Sequence, residues 1–339
     1  MADGDPPLQN LQKLPLKSRL LLRLRSVIVE KCCRPNMTVN RPLISLFEPK
    51  VSASSAAHDG VFTRDTVIDP SRNLWFRLFV PSPTSDDLPM PILIYFHGGG
   101  FVFFSSDFLP FDILCRQLAR NLQAIVVSVN YRLSPEHRYP SQYEDEFDAL
   151  KFIDELDSSA FPEKSDFGRC FISGDSAGGN IAHHVVVRSG DYDFKKVKIR
   201  GLIAIQPFFG GEERTESEIR FAKSPTLNLE RADWYWKAFL PDGSNRKHPA
   251  AHVFGADGVN ISAVKFPATL VIVGGCDQLQ DWDRKYYEWL KNAGKEVELV
   301  EYPKAIHAFY TIPELPEASL LIKDVKNFIQ KTVSNVNHQ

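Results

Sequence analysis

The sequence predicts an α/β fold, a mainly parallel central sheet with helices on both faces. Two observations carry that prediction. From Met90 onward, short continuous apolar runs alternate with amphipathic segments, the pattern left by parallel strands buried on both faces and joined by crossover helices. In addition, 339 residues with 43% hydrophobic content supply enough apolar side chain for one large core.

Taken in order, residues 11–30 (LQKLPLKSRLLLRLRSVIVE) place apolar side chains at near-helical spacing with basic residues between them, which predicts one or two amphipathic helices. The apolar face is short and the basic count modest, so a lid over the fold is preferred to a membrane-surface helix. Residues 1–45 are assigned to this N-terminal segment and 46–335 to the main domain. Phe62 to Val80 alternates apolar positions around an Asp-Pro turn signal, which predicts a hairpin. Strands follow at PILIYF, AIVVSVNY, CFISG, KIRGLIAIQPF, ATLVIVGG and VELVEY, with helices near 111–121 and 143–156 and a last helix over about 318–333. Between Gly210 and Pro267 the rhythm breaks into polar, aromatic and proline-bearing sequence. That stretch is expected to cap one end of the sheet.

Charge and cysteine content exclude several classes of function. Forty Lys+Arg stand against 42 Asp+Glu, a net charge of -2 without long single-sign blocks. Nucleic acid is therefore not an expected partner. Five cysteines (Cys32, Cys33, Cys115, Cys170, Cys276) lack C-x-x-C spacing, so neither a metal site nor a disulfide framework is expected. The N-terminus reads as no secretory leader, and no apolar run approaches the roughly 20 residues of a membrane span. A cytoplasmic protein without stable membrane insertion is the expectation.

The chemistry begins at Gly174-Asp175-Ser176-Ala177-Gly178, which closes the CFISG strand and opens a helix. Glycines flanking a serine permit a tight strand-to-helix turn that projects the hydroxyl above the sheet. His97-Gly98-Gly99-Gly100 follows another apolar strand. Its amides can converge on one oxygen, and no Gly-Lys-Ser/Thr follows to suggest a phosphate loop. Gly99, Gly100 and Ala177 are the candidate oxyanion donors, and His97 is read as shaping the loop rather than as a base.

A nucleophilic serine needs a base within reach and a carboxylate to orient that base. Among the later histidines, His183 and His184 lie two turns into the elbow helix and His338 lies in the tail. His307, just after the last predicted strand, is the best base. Asp277 follows the ATLVIVGG strand on the same sheet edge and is preferred as the acid to Asp281, which falls in the next helix. Aromatic residues of the capping region and nearby loops, namely Phe101, Phe208, Tyr235 and Tyr310, are candidates for an apolar substrate pocket. Trp234 and Trp236 are expected to be cap core. Such chemistry requires no cofactor and no metal.

The blocks HGGGF (97–101), VNYRLSPEHRYP (129–140), GDSAGGNIAHH (174–184), GGCDQLQD (274–281) and IHAF (306–309) resemble the hormone-sensitive-lipase-like group of α/β-hydrolases, and within it the plant carboxylesterases. The resemblance runs from about Pro15 to Ile329. It implies an α/β-hydrolase fold and hydrolysis of small or specialised-metabolite esters. Other stretches resemble the gibberellin receptors of the same group, which bind a hormone without hydrolysis: CCRPNMTVNRPL (32–43), DGVFTRD (59–65), GGEERTESE (210–218) and DWYWKAFLPDG (233–243). The receptors carry an aliphatic residue at the position of His307, a serine at that of Gly100 and an arginine at that of Ala232. All three differences point to an enzyme. A repurposed lyase, cyclase or transesterase is also compatible with the motifs. One departure from the esterase pattern is Gln278, where Asp-Pro-Leu is usual; losing that proline removes a constraint on the turn bearing Asp277.

Overall fold

The computed structural model describes residues 15–82 and 88–336. Helices α1 (Leu16–Cys32) and α2 (Arg41–Ser45) come first. They are followed by β1 (Val61–Asp69), β2 (Leu74–Pro81), β3 (Met90–Phe96), α3 (Leu109–Leu122), β4 (Ile125–Asn130), α4 (Ser141–Glu155), β5 (Ser165–Asp175), α5 (Ala177–Ser189) and β6 (Ile199–Ile205). The capping region holds α6 (Glu216–Arg220) and α7 (Leu229–Phe239). The chain then completes the sheet with β7 (Ala268–Cys276), α8 (Gln280–Asn292), β8 (Val297–Ile306) and α9 (Pro316–Val336).

The sheet has eight strands in the order β1-β2-β4-β3-β5-β6-β7-β8. The predicted hairpin is β1 and β2, which pair antiparallel around a short 3-10 turn at Pro70–Arg72. β2 also runs antiparallel to β4. Every pairing from β4 through β3, β5, β6 and β7 to β8 is parallel. The apolar runs that gave no alternation in sequence are thereby explained. In β3, Ile92, Ile94 and Phe96 enter the core under α4 and α5, with Phe147 and Ile181. Leu93 and Tyr95 point the other way, into the core shared with Leu118 of α3 and Phe328 of α9. Both faces are covered, so both sets of positions are apolar. The strand expected over VELVEY continues to Ile306.

A parallel sheet collects the ends of its strands on one edge, and this ordering sets the site. β5 ends at Asp175, β7 at Cys276 and β8 at Ile306, so Ser176, Asp277 and His307 each begin the loop or turn just past a strand. Above that edge lies α1, whose Ile28, Val29 and Cys32 are buried in the same core as Tyr235 and Trp236 of α7. Polar contacts tie α1 down: Ser18 Oγ donates to Glu314 Oε1 at 2.9 Å, and Arg231 Nη2 donates to Ser26 Oγ at 2.8 Å. No helix among the described residues is long and apolar enough to cross a membrane. Residues 11–14 of the expected N-terminal helix lie outside the described residues.

Candidate active site

Ser176 sits at the turn between β5 and α5 with φ 51° and ψ -118°. A non-glycine residue pays for positive φ with about 1–3 kcal/mol of strain, which the surroundings must hold in place. Three backbone hydrogen bonds do so: Ser176 N donates to Ile205 O at 2.9 Å, while Phe208 N and Asn180 N donate to Ser176 O at 2.8 and 3.2 Å. The flanking glycine at 178 is required by close approach, since a Cβ there would overlap the carbonyl of Phe96.

His307 stands over this serine. Its Nε2 lies 3.0 Å from Ser176 Oγ and its Nδ1 2.7 Å from Asp277 Oδ2. Because a carboxylate only accepts, Nδ1 carries the proton and Nε2 is left free to accept from the hydroxyl. Asp277 is fully buried. Its other oxygen accepts from Leu279 N at 3.1 Å, which fixes the carboxylate without a proline. Gln278 instead reaches the capping region, its Nε2 donating to Asn228 O at 3.3 Å. Asp281 lies in α8, where Oδ2 accepts from Ser217 N at 2.8 Å. The other histidines of the elbow helix are elsewhere: His183 Nδ1 meets Tyr286 Oη at 2.9 Å and His184 stacks on Tyr143.

Two polar residues that sequence reasoning missed organise the loops. Gln206 brackets His307, donating from Nε2 to Ile306 O at 3.1 Å and accepting from Ala308 N on Oε1 at 2.9 Å. Its signal was a lone amide inside the apolar run LIAIQPFF. Asp175 is buried beside the nucleophile. It accepts from Gly98 N at 2.9 Å, from Tyr310 Oη at 2.6 Å and from the hydroxyl of Tyr95. Burial raises its carboxyl above the ordinary carboxylate value, against the opposing pull of hydrogen bonds from Tyr310, Tyr95 and Gly98. Its position inside the G-x-S-x-G motif gave no hint of this junction.

The glycine loop turns sharply past β3. Gly99 and Gly100 have φ 113° and 64°, and a Cβ on Gly100 would run into the ring of Tyr235. His97 does shape the loop: Nδ1 donates to Gly98 O at 2.8 Å, the ring stacks on Tyr131 at 4.3 Å, and burial lowers its pKa to about 4. Gly99, Gly100 and Ser176 line one cavity of about 70 Å³ together with His307, and Ala177, fully buried, opens α5 beside them. Leu22, Arg25, Ser26 and Val29 of α1 and Arg231 and Tyr235 of α7 are among its walls.

Of the aromatic residues expected at the pocket, Tyr235 and Tyr310 line it. Phe101 and Phe208 do not. Phe101 is fully buried and stacks on Phe239 with ring centroids 3.8 Å apart, and Phe208 stacks on Trp236 at 4.3 Å. These large rings gain more by filling the seam between sheet and cap than by facing a polar cleft. Trp236 belongs to the same seam. Trp234 is half-buried and donates from Nε1 to Arg34 O at 3.0 Å, joining the cap to the N-terminal segment.

Residues 93–311 match the profile of a family described by the alpha/beta hydrolase fold. A gibberellin receptor of Arabidopsis thaliana is 38% identical over 93% of this chain and 94% of its own. A carboxylesterase of the same plant is 36% identical over 79% of this chain and 84% of its own. Among solved structures, an esterase from Pyrobaculum calidifontis superposes with a TM-score of 0.70 at 26% identity, covering 95% of this chain and 94% of that one.

Proposed function

Because this chain belongs to the α/β-hydrolase family, in its hormone-sensitive-lipase-like plant group, we propose that it is a serine carboxylesterase. Ser176 Oγ attacks the ester carbonyl while His307 Nε2 takes its proton, and Asp277 stabilises the imidazolium that forms. The amides of Gly99, Gly100 and Ala177 receive the oxyanion, each donor worth on the order of 3 kcal/mol. The leaving alcohol departs with the proton held by His307. Water, activated by the same imidazole, then releases the acid from Ser176.

The observation that supports this reading most is the continuous hydrogen-bonded line from Ser176 Oγ through His307 to Asp277, at 3.0 and 2.7 Å. A ligand-binding role needs no such relay. The cavity further supports a short acyl group: about 70 Å³ is under half of the roughly 150 Å³ that admits a benzene ring. Larger esters require α1 to shift. The second reading, a hormone-binding protein, draws on the 38% identity to a gibberellin receptor over almost the whole chain.

A fluorophosphonate probe and a panel of aryl esters of increasing acyl length separate the two. Covalent labelling of the wild type, its loss in Ser176→Ala, and turnover fastest with short acyl groups are expected. Tight binding of a gibberellin by a protein inactive on every ester would overturn the esterase reading.

A further inference from the structure

The walls of the cavity above Ser176 carry two guanidiniums that form no ion pair among the described residues. Arg25, on the inward face of α1, contacts the rings of Phe104 and Phe108, its guanidinium carbon 5.2 and 5.9 Å from their centroids. Arg231, on α7, is 8% exposed. It spends Nη1 on Thr226 O and Nη2 on Ser26, while its buried Nε has no hydrogen-bond partner. Among the described residues neither guanidinium has a carboxylate within ion-pairing distance, although the chain pairs many of its other arginines.

Nearby acids do not fill the gap. Asp175 is already occupied by Tyr95, Tyr310 and Gly98. Glu48 accepts from Phe104 N at 3.3 Å, and burial pushes its carboxyl toward the neutral form. The two guanidiniums also repel each other, and burial together with that repulsion lowers the pKa of Arg25. Arginine stays protonated regardless. A buried guanidinium beside a partly buried one, with no ion-paired carboxylate, is costly to keep, and the pair becomes favourable once an anion enters between them.

We propose that the substrate is an ester bearing a carboxylate away from its scissile bond, bound by Arg25 and Arg231 so that the ester carbonyl lies over Ser176. The planar fork of a guanidinium matches a carboxylate, and the narrow cavity favours this small flat anion. This inference rests on the esterase reading for the reaction, while the anion site itself can be tested apart from turnover. Arg25 positions and selects the substrate; it takes no part in bond making.

The test uses two matched pairs of esters with the full chain. On the acyl side, 4-nitrophenyl hemiglutarate is compared with its neutral terminal carboxamide; on the alcohol side, 3-acetoxypropionate is compared with 3-acetoxypropionamide. The wild type is expected to prefer the anionic member of one pair by about 10-fold or more in kcat/KM. Arg25→Gln should reduce that preference by about 10-fold, chiefly through KM, with part restored in Arg25→Lys and part lost at high salt. Equal or better use of the neutral member in both pairs would overturn the proposal, as would an Arg25→Gln variant that lowers both members alike. Calorimetry with 3-hydroxypropionate, 3-hydroxypropionamide and glutarate provides the arm independent of hydrolysis. Anion binding that Arg25→Gln weakens, in a protein that turns over no ester, sustains the anion site and rejects the esterase reading; anions that bind no better than the amide reject the site even if every neutral ester is cleaved.

Discussion

The hydroxyl of Tyr310 donates to Oδ2 of Asp175 across 2.6 Å, joining the loop three residues beyond His307 to the residue just before Ser176. Since Asp175 Oδ1 also accepts from Gly98 N, one buried carboxylate links the serine turn, the histidine loop and the glycine loop. Tyr310→Phe is expected to lower stability by about 2 kcal/mol, the cost of removing a donor from a buried acceptor. Its kcat should fall more than its KM rises, because the ring stays in the pocket wall while the loop bearing His307 loses its anchor. In an Asp175→Asn background the same substitution should cost much less, a coupling that denaturant titration of the double-mutant cycle measures. Additive effects would mean that the two loops are held independently.

The geometry distinguishes Asp277 from its neighbour. Asp277→Asn should reduce kcat on an aryl acetate by a factor on the order of 10⁴, through the wrong imidazole tautomer. Asp281 caps the backbone of Ser217 and pairs with Arg284, so Asp281→Asn should lower stability by about 1 kcal/mol and leave kcat nearly unchanged. His307→Val should cost about 10³ or more in kcat, since the serine loses its proton acceptor and the alcohol its donor. Steady-state kinetics of the three variants, with phosphonate labelling as a measure of serine reactivity, checks the assignment. A larger kinetic loss from Asp281→Asn would transfer the role of the acid.

These positions were readable because each follows a recognisable apolar strand, and strands in a parallel sheet deliver their ends to one edge. Gln206 and Asp175 were not readable in the same way: their roles come from bonds to residues 100 and 135 positions away, which no local pattern records. The opposite error occurred at Phe101 and Phe208. Adjacency to a glycine loop or a strand end suggested a pocket, but which side of a turn a ring takes depends on the partner rings Phe239 and Trp236. That a helix forms over residues 16–30 was legible in its spacing, although it runs on to Cys32. That Arg25 of this helix turns inward was not, because an amphipathic pattern sorts apolar from polar positions and cannot single out one inward-facing arginine.

Gly100 has a cost attached to any side chain. It holds φ 64°, where an alanine-like residue is strained by about 1 kcal/mol, and its Cβ would overlap Tyr235. Gly100→Ser is therefore expected to displace the Tyr235 ring, lower the melting temperature by several degrees, as a loss of 1–2 kcal/mol does in a domain of about 250 residues, and reduce kcat/KM on an acetate ester by about 10²-fold through a misplaced oxyanion donor. In a Tyr235→Ala background, itself destabilised by the lost core ring, Gly100→Ser should cost less stability because room has been made, while the backbone strain remains. Full activity in Gly100→Ser alone would show that the glycine loop adapts freely.

Two buried histidines, His97 and His183, and the half-buried His184 give the fold an acid limit. Burial lowers His97 and His184 to about 4 and His183 well below its ordinary value, whereas each titrates near 6.5 when unfolded. As pH falls through about 6.5, the unfolded chain binds these protons before the folded one does. The stability associated with keeping them neutral is thus complete above that pH and is lost as pH drops toward 4, with a slope of about 1.4 kcal/mol per pH unit for each histidine. Urea titrations between pH 7.5 and 4.5 should show this decline. His184→Gln removes a titrating group and should flatten the slope by about one proton, while loss of the imidazole's bond to the Ala250 backbone and its stack on Tyr143 lowers stability alike at every pH. An unchanged slope in His184→Gln would mean that this imidazole takes up its proton in the folded protein as readily as in the unfolded chain, and that the stack on Tyr143 tolerates the charge.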